Sequence, residues 1–309
     1  MSKPKIAVFV NKHFEVEPFM AATMTLSATN KILPYPSIMK IPSGGTNRMN
    51  DARAHYTFNN IDVEIWCIED LMSANVSGSN SEEKYKVLPD YIRQISPDYV
   101  ISVSTAESTV DVQTSEDKSV NGSVLFGCHY GMFNVHGMKD DPDPNSGSNL
   151  HLNDSDDTYV YASSNIHEAM FDLINTKVAG DAVKLFRPQY HAPAGQMICN
   201  ADSGYLSVGV VNVTDYRAYD KADPAAYEAE KKNSPTKTPA CIETTHGIVN
   251  MCTGNIPTLF VSPITDRYTH FADDVGNSGI QNYIAGYNAG IAVGTLLVQI
   301  DQQPKVIDN

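Results

Sequence analysis

Positive charge and long hydrophobic runs are both scarce in this sequence. Its 309 residues include 22 Lys and Arg against 36 Asp and Glu, which leaves a net charge of −14 at pH 7. Nucleic acids and anionic membranes are bound through clustered Lys and Arg, so this deficit argues against both as partners. No apolar run approaches the roughly 20 residues of a membrane-spanning helix. We therefore expect a protein that acts on a small solute.

Cysteine is sparse too, and its spacing argues against zinc sites and disulfide frameworks. The cysteines are odd in number, and none has the close paired spacing of zinc ligands. They are Cys67, Cys128, Cys199, Cys241 and Cys252. The N-terminal apolar run, residues 5–10, is too short for a signal peptide. These features predict reduced thiols in a cytoplasmic protein, with no metal site and no cofactor.

Short apolar runs alternate with helical patterns along the chain. Strands are predicted at residues 5–10, 63–68, 99–103, 123–128 and 205–213, and helices at 81–95 and 279–299. This alternation predicts a three-layer α/β/α sandwich around a mixed central sheet. Because no linker separates two patterned halves, a single domain over residues 1–309 is expected.

The predicted last helix is unusual in its glycines. Gly286, Gly290 and Gly294 each lower helix propensity by about 1 kcal/mol relative to alanine. Close packing of this helix against the sheet is expected to compensate.

Two polar segments are predicted to leave the sandwich as surface excursions. Residues 139–157 are dense in Asp, Asn, Ser, Gly and Pro, and residues 220–239 carry Lys and Glu between prolines. The second segment directly precedes Glu243, so it is a candidate lid over a pocket beside that residue.

Two isolated carboxylates near the C-terminus stand at the boundaries of predicted elements. Glu243 opens a predicted helix within residues 240–252, and Asp266 ends the β-rich run 258–266. The two acids are 23 positions apart and are expected to converge on one pocket.

These two segments resemble those of the purine nucleoside phosphorylase superfamily, particularly its branch of methylthioadenosine/S-adenosylhomocysteine nucleosidases. In that branch a Met-Glu pair opens a helix, and its Glu grips the ribose hydroxyls. A later Ile-Ser-Asp at a strand end supplies the acid that protonates the purine. Here Ile242-Glu243 and Ile264-Thr265-Asp266 stand in those places. The resemblance implies a nucleoside phosphorylase-type fold, a homo-oligomer and a purine nucleoside N-ribohydrolase that cleaves the N-glycosidic bond with water.

The roles implied for the two acids suit the chemistry of this bond. Cleavage passes through an oxocarbenium-like sugar, so the leaving purine needs a proton and the cationic ribose needs negative charge. Asp266 is the candidate acid for the purine, and Glu243 the candidate acceptor for two ribose hydroxyls. The structural alternatives are an Asp that caps the following turn and a Glu that interacts with a helix dipole.

The third role is activation of water. Nucleosidases of this family carry a Glu in an acid-rich turn shortly after the first strand. With a turn two residues longer, Glu17 aligns with that residue, and Glu15 is the fallback. The structural alternative for Glu17 is an acid at the entry of a helix, directly before Pro18.

Two further pocket elements follow from the resemblance. The family has a Gly-Ser/Thr-Ala/Cys-Gly turn after a central strand, and its backbone lines the ribose pocket. Thr105 and Ala106 occupy the middle of that turn here, but Ser104 and Glu107 replace its glycines. If the last position requires a positive φ, Glu107 is disfavoured there. For stacking on the base, the nearest match to the family aromatic is Tyr216.

Two alternative functions are left open. Arg48, in a Ser-Gly-rich segment, and Arg53, in Arg53-Ala-His-Tyr56, faintly resemble phosphate-binding elements of trimeric phosphorylases. A phosphate-dependent purine nucleoside phosphorylase is therefore the alternative within enzymes. The altered turn at Ser104–Glu107 motivates a third hypothesis, a nucleoside-binding or storage relative without turnover.

Overall fold

The fold is given by a computed structural model. It describes residues 3–29, 31–40, 49–76, 78–109, 121–134, 158–179, 185, 197–199, 204–209, 227–228, 241–268, 270, 274 and 279–307. The predicted excursions at 139–157 and 220–239 lie outside these residues, apart from Tyr227 and Glu228.

The described strands join into one mixed sheet. They are β1 (Lys5–Val10), β2 (Ile38–Met39), β3 (Ala54–Thr57), β4 (Asp62–Cys67), β5 (Tyr99–Val103), β6 (Ala106–Ser108), β7 (Val124–Gly127), β8 (His129–Asn134), β9 (Thr158–Ser163), β10 (Met197–Cys199), β11 (Gly204–Gly209), β12 (Cys241–Glu243) and β13 (Thr258–Arg267). Their order is β2-β3-β4-β1-β5-β13-β6-β12-β11-β8-β9, and β7 pairs with both β13 and β10. The mixed sheet agrees with the predicted fold class.

The centre of the sheet is parallel. Strand β1 lies parallel to β4 and β5, and β5 lies parallel to β13. Parallel strands are covered on both faces, which explains why these segments read as nearly unbroken apolar runs in the sequence.

The helices cover both faces of the sheet. They are α1 (His13–Ala28), α2 (Ile68–Leu71), α3 (Ser81–Ile95), α4 (Glu168–Leu173), α5 (His246–Thr253) and α6 (Gly279–Gln302), with a π-helical turn at Ile174–Val178 and a 3₁₀ turn at Pro304–Ile307. Side chains alternate across β1, so Val8 packs with α1 and α6 on one face, whereas Phe9 packs with α3 and α5 on the other. The predicted three-layer sandwich is confirmed.

The glycines of α6 pack against α1 rather than against the sheet. A Cβ at Gly290 would fall on the carbonyl oxygen of Phe19, and one at Gly286 would lie 2.9 Å from the carbonyl oxygen of Glu15. The expected compensation for lost helix propensity therefore comes from close helix–helix contact. This contact fixes the backbone of α1 at Glu15.

Helix α6 is also apolar over a long stretch. The expectation that no apolar run approaches membrane-spanning length is corrected here, because residues 280–302 are long and apolar enough to cross a membrane by length and composition alone. However, 72% of the apolar window is buried inside the protein. Since α6 packs against α1 and β13, it is a core helix of the sandwich.

Candidate active site

The candidate site lies where the ends of β5 and β12 meet the start of α1. Thr105, in the turn between β5 and β6, contacts Glu15 of α1. The next strand, β6, connects the remaining parts, because its Glu107 pairs with Ile242 of β12 on one side and with Asp266 of β13 on the other. Four segments that are distant in sequence therefore lie side by side.

Asp266 is a buried carboxyl group at an irregular point of the sheet. The pairing of β13 with β6 shifts between Ile264 and Asp266, as in a β-bulge, and such irregularities redirect side chains near active sites. The Thr265 hydroxyl donates a hydrogen bond to Asp266 Oδ1. Burial, with the charge of Asp274, raises the pKa of Asp266 to about 7 despite the hydrogen bond from Thr265 and the charge of Arg267. Asp266 is therefore able to hold a proton near neutral pH.

The neighbouring cation, Arg267, is bound by another acid. Its backbone N–H and its guanidinium donate hydrogen bonds to Asp274 at 2.8–3.0 Å, and Asn121 donates to the same carboxylate. Burial opposes the charge of Asp274, but these hydrogen bonds outweigh it and lower the pKa of Asp274 to about 2. Arg267 is therefore ion-paired with Asp274, and the carboxyl group of Asp266 can still take up a proton.

Glu243 is the last residue of β12 and not the first residue of a helix. Helix α5 begins at His246, whose N–H donates to both Glu243 oxygens at 3.0 and 2.9 Å, and the Thr245 N–H donates to Oε2. The prediction that Glu243 opens the helix is corrected, because it caps the helix from the preceding strand. A carboxylate has about four acceptor positions, so this capping is compatible with binding a hydroxyl group.

The two glutamates of α1 lie on opposite sides of the helix. Glu15 is 1% exposed, and its Oε1 accepts hydrogen bonds from Thr105 N at 3.0 Å and Thr105 Oγ1 at 2.5 Å, while Oε2 accepts from Lys12 N at 3.0 Å. Burial raises the pKa of Glu15, against the charge of Lys12 and the hydrogen bonds from Thr105. The Glu17 side chain is exposed. The structure thus places the fallback residue in the site and the predicted base outside it.

The turn after β5 forms without the two glycines of the family motif. Within the described residues, positive φ angles outside glycine occur at Lys31 and Ser96, so neither Ser104 nor Glu107 is in that region. Glu107 instead forms part of β6, and Ala106 is buried with its carbonyl oxygen 3.3 Å from Thr265 Oγ1. The conformational objection to Glu107 therefore does not apply.

The fold defined by these elements is already known from solved structures. Neither a protein-family model nor a curated protein matches the sequence. The 5′-methylthioadenosine/S-adenosylhomocysteine nucleosidase of Campylobacter jejuni matches with a TM-score of 0.52 at 8% identity, over 97% of this chain and 99% of that chain. The corresponding nucleosidase of S. pneumoniae matches with a TM-score of 0.52 at 11% identity, over 96% and 99%. Native futalosine hydrolase of Helicobacter pylori matches with a TM-score of 0.51 at 12% identity, over 97% and 98%.

The chain has the nucleosidase fold. The resemblance expected from Ile242-Glu243 and Ile264-Thr265-Asp266 is thereby confirmed at the level of architecture. Since the identities are 8–12%, the comparison establishes the fold and leaves the chemistry to be argued from this chain's own residues.

Within the nucleosidase fold, Arg53 is committed to an ion pair. It is 1% exposed and holds Asp70 through Nε–Oδ2 and Nη2–Oδ1 contacts of 2.7 and 3.0 Å. His13 Nε2 lies 2.7 Å from Asp70 Oδ1, and Cys67 is close enough to complete a possible metal-binding group. The guanidinium already occupies both Asp70 oxygens, which disfavours a metal ion there and phosphate on Arg53. Arg48 lies outside the described residues.

The aromatic residues considered for stacking on the base are only partly described. Tyr216 lies outside the described residues. Tyr268, two residues after Asp266, has its ring centroid 4.9 Å from that of Tyr227. This contact connects the described part of segment 220–239 to the end of β13.

Two histidines, His246 and His270, lie close in sequence to Glu243 and Asp266. His246 is buried between the hydroxyls of Ser102 and Ser262, each 2.8 Å away, and stacks on Phe260. Burial, helped by the charge of Lys84, lowers the pKa of His246 to about 3, so the ring is neutral and joins β5, α5 and β13. His270 contacts the carbonyl oxygen of Tyr268 through Nδ1.

Lys84 of α3 was not predicted from the sequence as part of the site. Its side chain is fully buried, and its ammonium group donates hydrogen bonds to the Thr244 carbonyl at 3.0 Å and to Thr245 Oγ1 at 2.9 Å. The helical period of α3 could have identified Lys84 as buried, because this residue shares the buried face of the helix with Leu88 and Ile92.

Proposed function

We propose that the protein is a purine nucleoside N-ribohydrolase, which releases the base by attack of water on the N-glycosidic bond. The observation that carries this proposal is the set of three buried carboxyl groups, Glu15, Glu243 and Asp266, around β6 and its flanking turns. The names of the solved structures with the same fold, nucleosidases and a futalosine hydrolase, agree with this chemistry.

Asp266 is the general acid of this mechanism. With a pKa of about 7 it is protonated in a large fraction of molecules at neutral pH, which a normal aspartic acid is not. It donates its proton to N7 of the purine as the bond between the anomeric carbon and the base breaks. The electron pair of that bond leaves with the base.

Glu243 stabilises the sugar. Its position is fixed by the amide groups at the start of α5, so the carboxylate is pre-organised to accept hydrogen bonds from vicinal ribose hydroxyls. Its negative charge also favours the oxocarbenium-like transition state. Ile242, buried beside it in β12, contributes an apolar wall.

Glu15 is the general base for the attacking water. Its raised pKa brings it closer to the working pH than an ordinary glutamate, and Thr105 and the Lys12 N–H hold both of its oxygens in place. It takes one proton from water while the water oxygen bonds to the anomeric carbon. The products are the free base and ribose or its 5′-substituted form.

The experiment that tests this function is base release with and without phosphate. The purified protein is incubated with adenosine, inosine and methylthioadenosine, and the free base is measured by chromatography. Base release that does not depend on phosphate supports the proposal. Strict dependence on phosphate would establish a phosphorylase instead. Tight nucleoside binding without base release would establish the binding or storage relative.

A further inference from the structure

The ammonium group of Lys84 is buried next to the candidate site. Lys84 lies in the first turn of α3, and its ammonium group contacts the turn Thr244–Thr245 between β12 and α5. That turn directly follows Glu243. The lysine therefore acts on the backbone segment whose amides hold the Glu243 carboxylate.

The contact continues through hydroxyl groups to the other half of the site. Thr245 Oγ1 accepts hydrogen bonds from Lys84 Nζ at 2.9 Å and from Ser104 Oγ at 3.2 Å. Ser104 adjoins Thr105, the residue that holds Glu15. One hydroxyl thus connects the turn after β12 with the turn after β5.

The ammonium group of Lys84 also interacts electrostatically with the buried carboxylates around it. Burying carboxylates is unfavourable unless a cation or hydrogen bonds compensate for lost solvation. Glu15 and Glu243 are both within electrostatic range of the ammonium group and raise its pKa. The titratable groups that face Lys84 from the surrounding elements are Lys12, Glu15, Glu69, Glu243 and His246.

We propose that Lys84 is a positioning residue that fixes the Glu243 turn to the Thr105 turn and, while it is protonated, balances the charge of the two buried glutamates. This inference rests on the proposed function for its catalytic consequence. Lys84 itself touches neither substrate nor water in this mechanism, and it acts through Thr245 and Ser104.

The charge of Lys84 is sensitive to pH. Burial, with the charge of Lys12, lowers its pKa to about 7 from the ordinary 10.5. Between these values the folded protein has released the proton while the unfolded chain still binds it. Stability therefore rises with pH from about 7 to about 10 through this group, because unfolding takes up a proton there.

The activity test compares Lys84→Met and Lys84→Arg with a matched control on the same helix, Lys86→Met. Lys86 is 71% exposed and pairs with Glu83. We expect Lys84→Met to lower kcat/KM by roughly 10-fold to 100-fold, as removal of an outer partner of catalytic groups typically does. We expect Lys84→Arg to retain more activity and Lys86→Met to match the wild type. Equal activity of Lys84→Met and Lys86→Met would overturn the inference.

A second measurement does not depend on turnover. The melting temperatures of the wild type, Lys84→Met and Lys86→Met are compared from pH 6 to pH 10. The wild type should gain stability relative to Lys84→Met as pH rises from about 7, whereas the difference from Lys86→Met should stay constant. A constant difference for both variants would contradict a buried, titrating ammonium at this position.

A second variant, Thr245→Val, tests the proposal if Lys84→Met does not fold. This variant keeps the ammonium group and removes the shared hydroxyl, which makes no cap bond to α5. It should lower kcat/KM in the same direction while retaining the wild-type pH dependence of stability, and unchanged kcat/KM would overturn the role of this hydroxyl. If the wild type releases no base at all, the proposed function fails, and the melting curves then decide separately on the placement of Lys84.

Discussion

At the scale of single residues, the spacing of Glu15 and Glu17 decides which of them reaches the site. Residues two apart on a helix are separated by about 200°. Glu15 shares the buried face of α1 with Phe19 and Ala22, and Glu17 points the other way. The helical period places Glu15 on the same face as Phe19 and Ala22, whereas the alignment that allowed a longer turn led to Glu17.

We predict that Glu15→Gln and Glu17→Gln differ strongly in activity. Glutamine cannot accept the proton of water, so Glu15→Gln should lose base release by roughly 10²-fold or more while nucleoside binding persists. Glu17→Gln is the matched control and should retain nearly all turnover, because its side chain is exposed. Steady-state kinetics and nucleoside binding by calorimetry check this. The reverse order of effects would return the role to Glu17.

We predict that Asp266→Asn slows catalysis much more than it weakens binding. Asparagine keeps the shape but has no acidic proton, so kcat should fall by roughly 10²-fold to 10⁴-fold. Asp90→Asn, on the exposed face of α3, is a suitable control. Turnover of Asp266→Asn close to that of the control would remove Asp266 from the mechanism.

We predict that Glu243→Gln penalises ribosides more than 2′-deoxyribosides. A deoxyriboside already lacks one of the two hydroxyl partners, so it loses less when the carboxylate becomes an amide. Glutamine retains one oxygen that can cap α5, and the melting temperature of the variant monitors that structural contribution. Equal losses on both substrates would mean that Glu243 serves the helix and not the ribose.

At the scale of elements, long periodic segments were predictable and short strands were not. Helix α3 has the predicted bounds, residues 81–95, and β1 and β5 also agree with their predictions. Strands β6 and β12 have three residues each, and they become strands through partners far away in sequence, such as Ser108 with Cys241. Local propensity does not contain that information. Glu243 likewise pairs with Ser207 of β11, which explains why it ends a strand instead of opening a helix.

We predict opposite effects of alanine at two glycines of α6. Gly290→Ala pushes a methyl group into the α1 backbone at Phe19, which should cost about 1–3 kcal/mol in the free energy of unfolding. At Gly294 the nearest atom, 2.7 Å from an added Cβ, is the terminal methyl Cδ1 of Leu26 and not a backbone atom, so the gain in helix propensity of up to about 1 kcal/mol should dominate. Urea unfolding measures both. Equal stability of the two variants would contradict the close helix contact.

At the scale of the whole molecule, the fold is what this chain shares with the nucleosidase structures. The fold extends over nearly the full length of chains that are only 8–12% identical to it, because many apolar residues of similar volume fill the same core. The candidate site depends on fewer positions. Homo-oligomerisation and a cytoplasmic location stay predictions.

The position of β13 in the sheet also determines when the sheet can be completed during synthesis. It is inserted between β5 and β6, although more than a hundred residues of chain separate it from either strand. During synthesis on the ribosome, the apolar edge of β5 stays open until residues 258–261 have emerged, and open edges of this kind are where nascent chains associate. Asp266 and the strand that joins β5 to β6 are therefore synthesised together. A truncated product that stops before residue 258 has neither.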